Sequence, residues 1–182
     1  MKQKSFQREL LGNYRELVHK VDRLCREIES EFREHLACRD GCDGCCRHLS
    51  LFPVEAVALA SALDDLPDHE AASVRERVRH GSDDQVCPLL VNSRCLLYAA
   101  RPIICRTHGL PLLTVRDRNR HVDFCPLNFQ GLRSLPGNAV IDLDRLNTAL
   151  AAVNLLFVAE FRDSGLTDRE RITIAEALRL EI

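Results

Sequence analysis

Eight of the nine cysteines in the chain fall at short spacings that suit metal ligation. Cys38, Cys42, Cys45 and Cys46 read C-x3-C-x2-C-C, and Cys87, Cys95, Cys105 and Cys125 follow in a second stretch. Thiolate is a soft donor, suited to zinc in a tetrahedral four-sulfur shell or to iron in an iron–sulfur cluster. Consecutive side chains point in divergent directions, so one ion is not expected to take both Cys45 and Cys46. The dipeptide predicts two metal centres close together, or one cluster of several metal atoms. Eight thiolates divide into two sites of four, and their order along the chain predicts that each site mixes sulfurs from both stretches.

A divalent ion held by four thiolates carries a formal charge of about minus two, which calls for nearby cations or amide donors. Arg39, Arg47, Arg94, Arg101 and Arg106 each lie within a few residues of a cysteine, and Arg106, directly after Cys105, is the foremost of them. Histidine can replace a thiolate; His35 and His48 flank the first group and His108 stands three residues after Cys105. For all three a supporting role is the stronger expectation. Cys87 and Cys125 each precede a proline, a pairing seen at some iron–sulfur ligands. A disulfide framework fits poorly with an odd cysteine count, and Cys42-x2-Cys45 lacks the strand and helix of a thioredoxin-like redox centre. Cys25 lies on an apolar helical stripe with Tyr14, Leu17, Val18, Val21, Leu24, Ile28 and Phe32, which makes it a small core residue.

Two resemblances follow from these motifs. Cys38-x3-Cys42-x2-Cys45 is similar to the three-cysteine signature of radical S-adenosylmethionine enzymes, but Gly44 stands where that family carries an aromatic residue. A helix, not a strand, is expected before it, and the chain is short for a barrel. The better match is to the YkgJ-type cysteine-cluster proteins, a zinc- or iron-chelating domain with a C-x2-C-x2-C-C style of signature. Cys87-Pro88-Leu89-Leu90, Cys95-Leu96-Leu97-Tyr98, Arg101-Pro102, Cys105-Arg106 and Cys125-Pro126 resemble the second half of that pattern. Thr107-His108-Gly109 departs from the apolar or aromatic residues expected there. The resemblance spans residues 38 to 126 and implies metal binding by the eight cysteines. Some members resemble flagellin lysine N-methylases, which implies a second class of function, a cluster-dependent modifying enzyme.

The elements that must position these residues read as mainly α. An amphipathic helix over about 6 to 36 leads to the first cysteines, where Asp40, Gly41, Asp43 and Gly44 break it. Helices follow near 53 to 63, opened by Pro53, and from Pro67 to His80, stopped by Gly81. Leu110 to Val115 and Arg120 to Phe124 predict a small β-hairpin within 110–124. Asp142 is a plausible N-cap for a helix with Leu143, Leu146, Leu150, Val153 and Phe157 on one face, and Thr167-Asp168-Arg169-Glu170 has the form of a capping box for a last helix to about Leu180. The architecture expected is a helical frame around two cysteine-rich loops, in one domain over 1–182, with the cysteine-cluster core at 38–126 between an N-terminal helix and a C-terminal helical pair.

Composition narrows the function. Lys plus Arg number 25 against 27 Asp plus Glu, so nothing favours a polyanion, and no nucleic-acid partner is expected. No segment has the apolar run of a signal peptide or membrane helix, so no membrane partner is expected and the cytoplasm is the expected compartment. The first expectation is a metal-binding protein with metal ions as partners. In the modifying-enzyme reading, Tyr98, Arg101, Arg106 and His108 are the polar groups to test. A third reading is a metal-stabilised interaction module that offers the helix from Leu143 to Phe161 to a protein partner, although burial of that helix in its own core is the simpler expectation.

Overall fold

The computed structural model describes residues 9–39, 41–79, 86–161, 166 and 168–181. Asp40, His80, Gly81 and Thr167, which the sequence reading uses as helix punctuation, lie outside the described residues. The chain is mainly α with small β elements, as expected. No helix among the described residues is long and apolar enough to cross a membrane.

The first long helix, α1 (Gly12–Glu31), buries Tyr14, Val21, Cys25 and Ile28 on one stripe. Leu24, expected on that stripe, is exposed. Cys25 is buried, and its thiol donates to the Arg106 carbonyl at 3.6 Å. A 3-10 turn over Arg33–His35 follows, where the sequence reading carried the helix on to 36. Tight backbone turns then shape the first cysteine loop, with the Cys42 N–H on the Arg39 carbonyl and the Cys46 N–H on that of Asp43. Gly41 adopts a φ of +84°, a conformation that side-chain-bearing residues rarely adopt.

Helix α2 (Pro53–Asp64) starts at a proline in its first turn and is apolar almost all round, because its residues are buried on several sides. Val54, Ala56, Val57 and Leu59 are fully inaccessible. Helix α3 (Asp68–Arg79) packs on it through Ala71, Val74 and Val78. Ahead of α2, strand β1 (Ser50–Leu51) pairs antiparallel with β7 (Ile172–Thr173). The second cysteine stretch folds as a miniature hairpin, β2 (Leu90–Val91) with β3 (Arg94–Cys95), then a 3-10 turn over Tyr98–Ala100 and the short helix α4 (Ile103–Thr107).

The predicted hairpin is present as β4 (Leu112–Arg116) and β5 (Asn119–Asp123), joined by Asp117 and Arg118, both at positive φ as a two-residue hairpin turn of the primed type requires. Strand β6 (Ile141–Asp142) adds to β4 in parallel. Asp142 then caps α5 (Leu143–Glu160), its carboxylate accepting from the Arg145 N–H as the sequence predicts. The end of the chain differs from expectation. Asp168 to Arg171 form turns and irregular backbone, and the capping box that operates is Thr173 with Glu176, opening the short helix α6 (Ile174–Ala177). Pairing of Ile172 and Thr173 with β1 holds that stretch extended and delays the helix. A continuous core joins α1, α2, α3, α5 and α6.

Candidate metal centre

All nine cysteines are free thiols. Cys25 is buried in the core away from water, whereas the other eight are exposed or half-buried, on the loops that the helical frame supports.

The two loops meet. The Cys87 N–H donates to the Cys46 carbonyl at 3.2 Å, and an isolated bridge pairs Arg47 with Val86. Electrostatics sort the sulfurs further. The Cys45 thiol is pushed up by burial and then by Cys46, Cys38 and Cys42. Cys46 is pushed up by burial and by Cys95 from the second loop, and it also receives a hydrogen bond from the Cys45 side chain. The divergence expected of the adjacent pair is thus partial. Cys87 rises from its ordinary 9.0 to about 11 through burial, with Cys95 and Cys46 adding to it. Cys105 rises to about 12 through burial, then through Cys87 and Cys95. Cys125 lies on the other side, against Gly109, where a Cβ would come within 3.1 Å of the Cys38 sulfur and 3.7 Å of the Cys125 Cβ.

Backbone amides serve two of these sulfurs. Hydrogen bonds from the Leu89 and Leu97 N–H groups lower the Cys87 and Cys95 pKa values against the effect of burial. An amide two residues beyond a cysteine stabilises its thiolate, the form that binds metal. Among the described residues, no three Cys, His, Asp or Glu side chains converge as a ready-made cage for one ion. The donor chemistry fits a soft metal nonetheless. Of the eight thiols on these loops, five are buried enough to resist ionising alone, and a bound cation would favour their thiolate form.

Asn128, which the sequence reading missed, holds the loops together. It is 1% exposed. Its Nδ2 donates to the Gly109 carbonyl at 2.7 Å and to the Cys38 sulfur at 3.3 Å, while its Oδ1 accepts from the Ala37 N–H at 2.8 Å. The neighbouring Phe129 N–H donates to the His35 carbonyl, and its ring packs against Phe32, Phe124 and His35. That packing holds Phe129 at a φ of +53°. Nothing in the sequence pattern sets this asparagine apart from an ordinary turn residue.

The arginine and histidine expectations change. Arg106 directs its guanidinium away from the sulfurs, onto both Asp22 oxygens at 2.7 and 2.8 Å and onto the Ala99 and Arg101 carbonyls at 2.6 Å each. Arg101 stacks on the exposed Tyr98 ring, 3.6 Å from its centre, and its charge helps to lower the Cys95 and Cys105 pKa values. It takes the supporting role expected of Arg106. His48 Nε2 accepts from the Ala175 N–H, His35 stacks on Phe129, and His108 is exposed at the end of α4. Tyr98, Arg101 and Arg106 are thus linked by direct contacts, Arg101 donating to the Tyr98 carbonyl at 3.1 Å, whereas no contact of His108 with them is seen among the described residues.

With this geometry in view, residues 37–126 match the family model CxxCxxCC, described as "Putative zinc- or iron-chelating domain". This segment is similar to the CxxCxxCC family along both cysteine loops. Its first spacing is one residue longer than that name, C-x3-C in place of C-x2-C, and Gly41 with its left-handed backbone sits in the longer interval. Asn128 and the helix α1 lie beyond the CxxCxxCC match, so the frame of this centre is built in part from chain outside it. No curated protein and no solved structure matches the chain.

Proposed function

We propose that Cys38, Cys42, Cys45, Cys46, Cys87, Cys95, Cys105 and Cys125 bind zinc or an iron–sulfur cluster as thiolates, in two four-sulfur sites that each draw on both loops. Cys46 joins Cys87, Cys95 and Cys105 in one; Cys38, Cys42 and Cys45 join Cys125 in the other. The observation that carries this reading is the position of Cys46, which is adjacent in sequence to Cys45 yet joined to the second loop by the Cys87 N–H on its carbonyl at 3.2 Å, with Cys95 near enough to push its thiol pKa up. Closed four-thiolate sites leave no open position for a substrate, so the role is structural or electron-carrying. Asn128 would donate to one thiolate, and Leu89 and Leu97 amides to two others.

Elemental analysis and an absorption spectrum of anaerobically purified protein test this directly. Two zinc ions per chain, or iron with absorption near roughly 400 nm from thiolate charge transfer, are the expected results. Cys105→Ser and Cys125→Ser should each reduce the metal content, and together they should remove nearly all of it. A single ion per chain, retained in both variants, overturns the two-site arrangement.

A further inference from the structure

A cavity of about 240 Å³ is bordered by Ile103 and Ile104 of α4 and contains no cysteine in its walls. Its deep wall is Glu55 with Ile103 and Leu150, all at most 4% exposed. Its rim carries Ser50, Asn147 and Arg171, all exposed. Glu55 accepts one backbone N–H on each oxygen, from Ile103 at 3.0 Å and from Phe52 at 3.3 Å. A carboxylate has about four acceptor positions, so each oxygen keeps capacity for a further donor. Arg171 stacks its guanidinium on the Phe52 ring, 3.7 Å from the centre, and its charge, with the two backbone N–H groups, opposes the rise in the Glu55 pKa that burial causes. The carboxyl is thus deep and the guanidinium at the mouth, in a lining that also holds Leu49, Ile103, Ile104, Leu143 and Leu150.

From this geometry we infer that the cavity binds a small aliphatic amine carrying a carboxylate at its far end. The ammonium group would reach Glu55, the stem would lie against Ile104 and Leu150, and the carboxylate would meet Arg171. The volume lies below the roughly 300–1,000 Å³ of drug-sized pockets, which fits a short unbranched molecule. An uncharged apolar ligand would leave the Glu55 carboxylate buried without added compensation, and an anion would face it directly. The cavity has no cysteine in its walls, although Ile103 and Ile104 lead directly into Cys105 and the Glu55 charge acts on that thiol.

Calorimetric titration of the purified full chain with δ-aminovalerate, n-pentylamine and valerate tests the inference. The amino acid should bind, the amine more weakly, and valerate not at all. Arg171→Gln, a change at an exposed position, should weaken δ-aminovalerate about tenfold, as expected for the loss of one charge-assisted contact, and leave the amine unchanged. Asn147→Trp, which fills the mouth from an exposed helix position, should abolish both. Absence of binding by δ-aminovalerate, binding of valerate as tight as that of the amino acid, or unchanged affinity for the amino acid in Arg171→Gln would overturn it.

Discussion

Asn128 shows how much one uncharged side chain can organise. One amide group ties Ala37, beside the first cysteine, to Gly109 in the second loop and donates to the Cys38 sulfur. Replacement by alanine leaves the Ala37 N–H without its side-chain acceptor and the Gly109 carbonyl with the Cys125 N–H alone, and Asn128→Ala should cost about 1–3 kcal/mol in urea unfolding. Asn128→Asp keeps the acceptor for the Ala37 N–H but loses both donors and adds a negative charge near a thiolate. It should therefore retain metal less well than Asn128→Ala against a competing chelator. Equal metal retention in the two variants would argue against a role for the amide at the sulfur. The cysteine motif was legible in the sequence because its dense spacing is the pattern that the matching family model describes. Asn128 and Glu55 were not, since a polar residue acquires its meaning only when folding buries it beside a distant partner.

At the scale of elements, the latch between α1 and α4 matters most for the centre. Arg106 is 7% exposed in its side chain and Asp22 is 26% exposed. Arg106 also closes the turn at 99–101 through two carbonyls, which fixes the entry to the helix that carries Cys105. Loss of the Asp22 charge leaves a nearly buried guanidinium half-compensated. Asp22→Asn should lower stability by about 2 kcal/mol, below the 3–5 kcal/mol of a fully buried pair because Asp22 still touches water. Arg106→Lys should not restore what Arg106→Ala loses, because an ammonium group cannot serve a bidentate carboxylate and two carbonyls at once. Thermal unfolding of the three variants measures both effects. The helices around Pro53 and Asp142 were readable from local signals, a first-turn proline and an N-cap. The strands of two residues were not, because β1, β6 and β7 are too short to show alternation and exist only through their pairing. The same pairing explains why the last helix among the described residues opens only at the Thr173 capping box.

Across the molecule, the buried apolar residues and the thiols occupy different ground. Leu51, Val54, Val57, Leu59, Val74, Ile172 and Leu178 are inaccessible to solvent, whereas the eight loop cysteines are half-buried or exposed. Removal of metal should therefore loosen the loops before the frame. Hydrogen exchange after chelation should accelerate at residues 38–46, 87–105 and 125–129 while α2 and α5 keep their protection. Uniform loss of protection would instead make metal a condition for the whole fold, as in a zinc finger.

The pairing of β1 with β7 also sets an order of events during synthesis. Leu49 accepts from the Ile174 N–H and His48 from the Ala175 N–H, so the segment just past Cys46 is gripped by residues translated long after it. All eight thiols have left the ribosome before that grip can form. The nascent chain thus presents them while their support is incomplete, and any metal acquired then is acquired by a flexible loop, to be locked in place when the last strand arrives.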